Sequence, residues 1–280
     1  MSTIIMDGKK TAQDIKDELK TEVTLLKENS IEPTLAVVLV GDNQASQVYV
    51  KNKKRACEYI GIRSLSYEMD GTTSEEALLE IIDELNTRKD VHGILVQLPL
   101  PKHINEGKIL LAIDPEKDVD GFHPISVGNL SIGNSGFVSC TPAGIIELLK
   151  RYNIPMEGKK CVVIGRSNIV GKPISMLLLR ENATITICHS RTKNLAQECQ
   201  EADIIIAAIG KANFVTKDFL KKDVVIVDVG INRLEDGKLC GDVAYEECFD
   251  IASAITPVPG GVGPMTIAML MKNCVLAATK

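Results

Sequence analysis

Short runs of aliphatic and β-branched residues alternate along the chain with longer stretches in which apolar residues recur every three or four positions. This alternation is typical of parallel strands joined by crossover helices, so it predicts an α/β protein. The predicted strands of the first half are Thr34–Val40, Ile62–Tyr67 and Gly93–Leu98. The predicted helices span about Lys9–Asn29, Ala45–Ile60, Ser74–Thr87, a shorter stretch after Asn105, and Thr141–Tyr152, with Thr141 as cap and Pro142 in the first turn.

The second half repeats this pattern in the manner of a nucleotide-binding sheet. Its predicted strands are Lys160–Ile164, Thr184–Cys188, Ile204–Ile209, Val224–Val229 and Ala254–Thr256. Between the halves, residues 118–139 lack periodicity and are rich in Gly, Ser and Asn, which favours a domain boundary there. We therefore expect two domains: an N-terminal three-layer α/β domain of residues 1–120 plus 264–280, whose C-terminal helix packs back on it, and a Rossmann-like dinucleotide-binding domain of residues 121–263.

Composition narrows the class of protein. The 280 residues are 45% hydrophobic and 25% charged, with a net charge of −5, which is ordinary for a soluble globular protein and gives no support to nucleic-acid binding. No apolar leader follows Met1 and no window approaches the length of a membrane span, so we expect a cytoplasmic protein with no membrane partner. The eight cysteines form no C-x-x-C pair and the four histidines are dispersed, which predicts reduced structural cysteines and no metal site.

A glycine-rich turn near the end of the chain is the most informative local feature. Residues 259–266 read Pro-Gly-Gly-Val-Gly-Pro-Met-Thr, which can continue neither a strand nor a helix. Gly260 and Gly261 would let main-chain N–H groups approach a ligand, and Pro264 favours a helix start just after them. A ligand-free connection between strand and helix remains an alternative for this turn taken alone.

A second glycine-bearing loop follows the strand that ends at Ile164. Gly165 and Gly171 flank it and Pro173 begins a helix, which is the arrangement that binds a dinucleotide pyrophosphate. Ser167 stands where the G-x-G-x-x-G pattern has its second glycine, so a purely structural turn could use the same residues. Arg166 could add a positive charge near the phosphates, although a loop arginine is more often simply solvated.

The next strand distinguishes between the two nicotinamide cofactors. It runs into His-Ser190-Arg191-Thr, with no carboxylate to hold a free ribose hydroxyl and with a guanidinium suited to a phosphate. NADP is therefore favoured over NAD. Gly210 and Ile231 follow later strands, at the carboxyl edge where an open parallel sheet binds its ligand.

Polar residues in the first half form a candidate site. Tyr49 and Lys53 lie one helical turn apart, with Ser46 three residues before the tyrosine, although a solvated basic face could have the same pattern. Gln97 closes an apolar strand before two prolines, the first of which, Pro99, could follow a cis peptide bond. The carboxylates of residues 118 and 120 flank Val119, where the alternative is an ordinary Asx turn.

Taken together, these blocks are similar to the methylenetetrahydrofolate dehydrogenase/cyclohydrolase family over essentially the whole chain. The blocks that carry the resemblance, all in the family's order, are Tyr49–Lys53, Gln97–Pro101, Asp118–Gly121, Gly165–Pro173 and Pro259–Thr266.

The resemblance implies a bifunctional enzyme that oxidises 5,10-methylenetetrahydrofolate with NADP⁺ and hydrolyses the methenyl product to 10-formyltetrahydrofolate in one cleft. It implies a cytoplasmic homodimer that serves one-carbon metabolism and purine biosynthesis. The catalytic residues would be Lys53, Tyr49, Gln97 and Asp120, with Lys53 as acid/base, Gln97 orienting it and Asp120 gripping the pterin. The substrate contacts would be Tyr49, Ser46, Asp120, Gly260, Gly261 and Pro264. The cofactor contacts would be Gly165, Arg166, Ser167, Ile169, Gly171, Ser190, Arg191, Gly210 and Ile231.

Three other functions are compatible with parts of this pattern. One is a two-domain NADP-dependent dehydrogenase of a different small metabolite, such as a shikimate-type hydroxyl. Another is a nucleotide-binding protein without catalysis, and the third is a member of the same family with a single activity. A methenyl product formed from methylenetetrahydrofolate with NADP⁺ would separate the first two from the folate reading.

Overall fold

The computed structural model describes residues 2–280, apart from the side chain of Ala45. The strands in this part of the chain are β1 (Ile4–Ile5), β2 (Thr34–Val40), β3 (Arg63–Met69), β4 (Gly93–Val96), β5 (Lys160–Ile164), β6 (Thr184–Cys188), β7 (Ile204–Ala207), β8 (Val224–Asp228), β9 (Asn232–Arg233), β10 (Leu239–Cys240) and β11 (Ala252–Ile255). The helices are α1 (Gly8–Glu28), α2 (Gln44–Ile60), α3 (Glu75–Thr87), α4 (Glu106–Ala112), α5 (Pro124–Ile132), α6 (Cys140–Arg151), α7 (Gly171–Arg180), α8 (Leu195–Gln200), α9 (Tyr245–Cys248) and α10 (Val262–Ala278).

The chain divides into two compact units. The first unit comprises residues 13–140 and 267–280, and the second comprises residues 1–12 and 141–266. The expected division into 1–120 plus 264–280 and 121–263 differs from this one mainly at two places. Residues 1–12 join the second unit because β1 pairs in parallel with β11. Residues 121–140 stay with the first because the buried Asp118 carboxylate accepts hydrogen bonds from His123 N–H and the Ser126 hydroxyl.

The first unit contains a three-stranded parallel sheet in the order β3-β2-β4. Every position of β2 and β4 is buried, as expected for strands covered on both faces, whereas β3 at the edge is only partly buried. Beyond β4, Asp118 forms an isolated parallel bridge with Ile94. The segment that ends at Asp120 and the residue that follows β4, Gln97, therefore lie at the same edge of the sheet.

The second unit contains a six-stranded parallel sheet in the order β1-β11-β8-β7-β5-β6. The chain runs from β5 outward to β6 and then returns to place β7 on the other side of β5. The carboxyl end of β5 is thus the topological switch point, which is where open α/β sheets bind their ligands. This topology confirms the expected Rossmann-like sheet.

Several predicted elements have different ends in the structure. The helix predicted from Thr141 begins at Cys140, so Thr141 is not its cap, and its hydroxyl shares a hydrogen bond of 2.9 Å with that of Thr266. The last helix begins at Val262, two residues before Pro264. Helix α5 lies within the stretch that had no periodicity, and it is capped by the His123 side chain with Pro124 in its first turn.

The cysteines are free thiols, and all but the partly exposed Cys240 are buried. Burial raises the pKa of the Cys57, Cys161 and Cys199 thiols, which makes them inert small hydrophobes. Within residues 2–280, the helices are too short or too polar to cross a bilayer.

Candidate active site

Helix α2 carries three of the predicted site residues. The Asn43 side chain caps it by accepting the Ser46 N–H at 3.0 Å, and Gly61 ends it in the left-handed conformation with φ of 94°. Lys53 lies one turn after Tyr49 on the same face. Ser46 is buried, whereas the Tyr49 side chain is 40% exposed and presents its ring to solvent. The ring is therefore available to a flat ligand.

Lys53 is a buried amine with a specific partner. Only 8% of the residue is exposed, and its Nζ donates to Gln97 Oε1 at 2.9 Å. Gln97 in turn donates from Nε2 to the carbonyl of Leu98 at 2.7 Å, which fixes which end of the amide faces the lysine. The Leu98–Pro99 peptide bond that follows is cis. A hydrogen bond contributes about 0.5–1.5 kcal/mol net, and this one holds the amine in one orientation.

The two carboxylates of the Asp-Val-Asp segment have different roles. Asp118 accepts N–H groups of Phe122 and His123 and the Ser126 hydroxyl, so its oxygens are used within the turn. Asp120 receives, among the contacts of the described residues, only a long one of 4.0 Å from the Cys140 thiol. Desolvation raises the pKa of Asp120 to about 6, against the opposing attraction of Lys53. Asp120 is the carboxylate left available to a ligand.

Two residues that hold the Asp120 segment were missed by the sequence analysis. Asn273 on α10 donates from Nδ2 to the carbonyls of Val119 and Val138, at 2.8 and 3.0 Å. The Cys140 thiol donates to the Val119 carbonyl at 3.3 Å. An asparagine within a largely apolar helix is the signal that the sequence offers, because an amide removed from water needs partners.

In the second unit, the loop after β5 lies at the switch point. Gly165 has φ of 139°, and a Cβ there would overlap the backbone oxygen of Ala208 on the neighbouring strand. A Cβ on Gly171, at the first position of α7, would overlap the Gly165 carbonyl. Ser167 Oγ accepts the N–H groups of Val170 and Gly171 at 3.2 Å, and its hydroxyl can still donate to an anion. The side chains of Arg166, Ser167 and Ile169 are exposed.

The carboxyl end of β6 presents Ser190 and Arg191, both exposed. The turn is held by the His189 N–H, which donates to the Thr192 hydroxyl at 2.9 Å, and by the Arg191 N–H, which donates to His189 Nδ1 at 3.1 Å. Neither bond uses the Arg191 guanidinium. The donor set is a hydroxyl beside a guanidinium, which fits a 2′-phosphate.

Gly210 and Ile231 follow β7 and β8 at the same edge of this sheet. Gly210 has φ of 73° and open space where a Cβ would point, and Ile231 is half exposed. The Ile231 side chain lies against Gly263 in the first turn of α10, at 3.6 Å from where a Cβ on that glycine would be. The structure therefore brings Ile231 next to the glycine-rich turn.

The glycine-rich turn itself has a structural explanation. The carbonyl of Gly260, whose φ is 107°, accepts the N–H of Lys9 at 2.8 Å. A Cβ on Gly8, at the start of α1, would overlap the Gly261 carbonyl. These glycines are needed for the close approach of two backbone segments, whether or not they also contact a ligand.

The predicted site residues fall into two sets, one in each unit. The first unit holds Ser46, Tyr49, Lys53, Gln97 and Asp120. The second unit holds Gly165, Arg166, Ser167, Ile169, Gly171, Ser190, Arg191, Gly210, Ile231, Gly260, Gly261 and Pro264.

Comparisons with known proteins identify the family of the chain. Residues 6–120 match the family model described as "Tetrahydrofolate dehydrogenase/cyclohydrolase, catalytic domain", and residues 139–280 match its "NAD(P)-binding domain". The chain is 64% identical over 277 residues to the bifunctional protein FolD of Lachnoclostridium phytofermentans, covering 99% of this chain and 98% of the relative.

Two solved structures are similar over nearly the whole length. The bifunctional FolD of Campylobacter jejuni is 53% identical with a TM-score of 0.98, covering 99% of each chain. The methylenetetrahydrofolate dehydrogenase-cyclohydrolase of Trypanosoma brucei, solved with NADP and an inhibitor, is 36% identical with a TM-score of 0.95, covering 100% of this chain and 98% of that one.

Proposed function

Because this chain belongs to the tetrahydrofolate dehydrogenase/cyclohydrolase family, we propose that it oxidises 5,10-methylenetetrahydrofolate with NADP⁺ and hydrolyses the resulting 5,10-methenyl cation to 10-formyltetrahydrofolate. The observation that carries this proposal is the buried Lys53 amine, whose Nζ donates to Gln97 Oε1 at 2.9 Å. The amine is also close enough to Asp120 for its charge to lower the pKa of that carboxyl. A solvated basic helix face would leave this lysine exposed. The other lysines of α2, Lys51 and Lys54, are exposed in this way.

Asp120 binds the pterin ring in this proposal. Its carboxylate accepts two parallel N–H bonds, from the 2-amino group and from N3, which fixes the orientation of the ring. With a pKa of about 6, Asp120 is mostly ionised at pH 7 and can accept both. Tyr49 lies against the folate and Ser46 beside it. Gly260, Gly261 and Pro264 also contact the substrate in this proposal, and family resemblance is the support for these three.

Lys53 acts in the hydrolysis. As water adds to the methenyl carbon, a C–O bond forms, and one water proton passes to the free-amine form of Lys53 Nζ. The same group returns that proton to the folate nitrogen when the bond from that nitrogen to the one-carbon unit breaks. The remaining hydroxyl proton is released to water as the C=O bond forms, which leaves the formyl group on the other nitrogen. Gln97 is a positioning residue, because its Oε1 holds Nζ in the direction required for both transfers.

The oxidation needs no protein base. The folate nitrogen supplies the electron pair that expels the hydride, and NADP⁺ accepts it when bound. Gly165, Ser167 and Gly171 would hold the pyrophosphate, with Arg166 and Ile169 beside it. Ser190 and Arg191 would hold the 2′-phosphate, and Gly210 and Ile231 would contact the remainder. The exposed hydroxyl and guanidinium at the end of β6 fit a phosphate rather than a free ribose.

Substitution Lys53→Met tests the proposed division of roles. We expect hydrolysis of preformed methenyltetrahydrofolate to fall by about 10²–10⁴, the usual contribution of acid–base catalysis, while NADP⁺-dependent formation of the methenyl product falls by less than tenfold. Both are followed by the absorbance of the methenyl cation. Lys54→Met, an exposed lysine on the same helix, is the matched control and should leave both rates unchanged. Equal loss of the two activities with intact folate affinity would contradict the assignment.

The proposal includes a homodimer in the cytoplasm whose product supplies one-carbon units to purine biosynthesis. Family resemblance supports all three. The edge strand β6 adds support for association, because Ile187 on it and Leu179 on α7 are exposed apolar side chains. Light scattering coupled to gel filtration measures the oligomeric state, and a mass of one chain would contradict the homodimer.

A further inference from the structure

A fully buried carboxylate lies beneath the loops that carry Gly210 and Ile231. Asp242 is 0% exposed. Its Oδ2 accepts the N–H groups of Ile209 and Gly210 at 2.6 and 2.9 Å. Its Oδ1 accepts the N–H of Lys211 at 2.8 Å and Nδ2 of Asn232 at 2.9 Å. One side chain therefore holds the loop after β7 and the loop after β8 together.

A second buried carboxylate holds Asp242 itself. Asp228, at the end of β8, accepts the N–H groups of Gly230, Asp242 and Val243, each at 2.9 Å. The Asp228 N–H donates to the Thr256 hydroxyl at 2.7 Å, and Thr256 lies directly under Gly261. We call Asp228 and Asp242 together the carboxylate pair.

Two glycines leave the room that the carboxylate pair occupies. A Cβ on Gly230 would overlap the Asp242 carboxylate, and a Cβ on Gly241 would overlap that of Asp228. Burying a carboxylate is costly unless N–H donors replace its water, and here four donors serve Asp242 and three serve Asp228. Because these oxygens are buried and occupied by donors, neither residue is suited to contact a ligand directly.

Ile231 lies between the two anchored positions. Gly230 is bound to Asp228 and Asn232 to Asp242, so the half-exposed Ile231 is held from both sides. Gly210 is held through its own N–H. We infer that Asp242 is a positioning residue for the cofactor: it fixes the two loops in the conformation that NADP(H) binds, without touching it. This inference rests on the proposed cofactor role of Gly210 and Ile231.

The test is Asp242→Asn, which keeps the volume of the side chain. An amide oxygen can serve one pair of donors, but its NH₂ group then faces the other pair, donor against donor. We expect the Kd for NADPH, measured from the rise of its own fluorescence on binding, to increase at least tenfold. Cyclohydrolase activity on preformed methenyltetrahydrofolate, which consumes no NADP, should stay within twofold. Asp236→Asn, an exposed aspartate between β9 and β10, is the matched control and should leave the Kd unchanged.

Asn232→Ala provides a milder variant if Asp242→Asn does not fold. It removes one of the four donors, and we expect a rise of about threefold in the NADPH Kd. An unchanged Kd in a folded Asp242→Asn variant, or a parallel fall of cyclohydrolase activity, would overturn the positioning role. A wild-type chain that does not bind NADPH would instead refute the proposed function. Ile231→Ser tests the proposed contact between Ile231 and the cofactor. An unchanged NADPH Kd in this variant would show that Ile231 does not contribute to binding, and the positioning role of Asp242 for that loop would then be overturned.

Discussion

Folate binding should weaken as the pH falls from 7 to 5, because Asp120 must be ionised to accept the two pterin N–H groups. Desolvation raises the pKa of this carboxyl to about 6, so its titration lies inside a range where proteins remain folded. The sign follows from the direction of the shift: the carboxylate that binds the ligand is present above the folded-state pKa and is lost below it.

The size of the effect follows from that pKa. With a value of about 6, the ionised fraction is about 90% at pH 7 and about 9% at pH 5. If only the ionised form binds, the apparent Kd rises about tenfold, or about 1.4 kcal/mol. Lys53 lowers the pKa of Asp120 by its charge, so Lys53→Met should move the midpoint of the pH profile upward.

Calorimetric titration is the suitable assay, because the chain has no tryptophan to report binding by fluorescence. The probe is 5-formyltetrahydrofolate, whose acylated N5 does not titrate between pH 5 and 7 and whose 2-amino and N3 groups are intact. Asp120→Asn is the control for titration of the ligand, and it should bind weakly with a flat profile. A flat profile in the wild-type chain, or the same slope in Asp120→Asn, would refute the reasoning.

Two further predictions concern the second unit. Arg191→Ala should raise the Kd for NADPH by tenfold or more and leave that for NADH within twofold, because it removes a charge-assisted bond to the 2′-phosphate; both are measured from coenzyme fluorescence. Gly165→Ala should lower the free energy of unfolding, measured in urea, by more than 2 kcal/mol, because the new Cβ overlaps the Ala208 carbonyl and the residue keeps a φ of 139°.

Both predictions have matched controls. Arg180→Ala removes an arginine from the last turn of α7, at the end away from the loop after β5, and should change neither Kd. If it raises the Kd for NADPH as much as Arg191→Ala does, the effect of Arg191 is a general one of charge. Gly158→Ala places a Cβ at a φ of 70° in open space, and we expect a loss of about 1–2 kcal/mol from conformation alone. If the two alanine variants are equally stable, the overlap at Gly165 is not the cause.

The elements that were predictable from the sequence are those specified by local pattern. The buried strand β2 is a continuous apolar run, and α2 has a cap, an amphipathic face and a terminal glycine. The relation of Lys53 to Gln97 was expected from family resemblance, and the hydrogen bond of 2.9 Å confirms that the two side chains meet.

The missed features depend on partners distant in the sequence. β1 has only two residues and is a strand because β11, about 250 positions later, pairs with it. Asp118 and Asp120 look equivalent in the sequence, and only the donors from residues 122–126 distinguish the structural carboxylate from the available one. Periodicity does not report such contacts.

The parallel pairing of β1 with β11 also has a consequence for synthesis of the protein. Ile4 and Ile5 are translated about 250 residues before their partners Ala254 and Ile255. Residues 13–140 likewise await residues 267–280, whose Met271 and Cys274 side chains are buried in that unit. Nascent chains therefore carry an unpaired strand and an uncovered apolar face until these later segments are translated, and both features favour aggregation during synthesis.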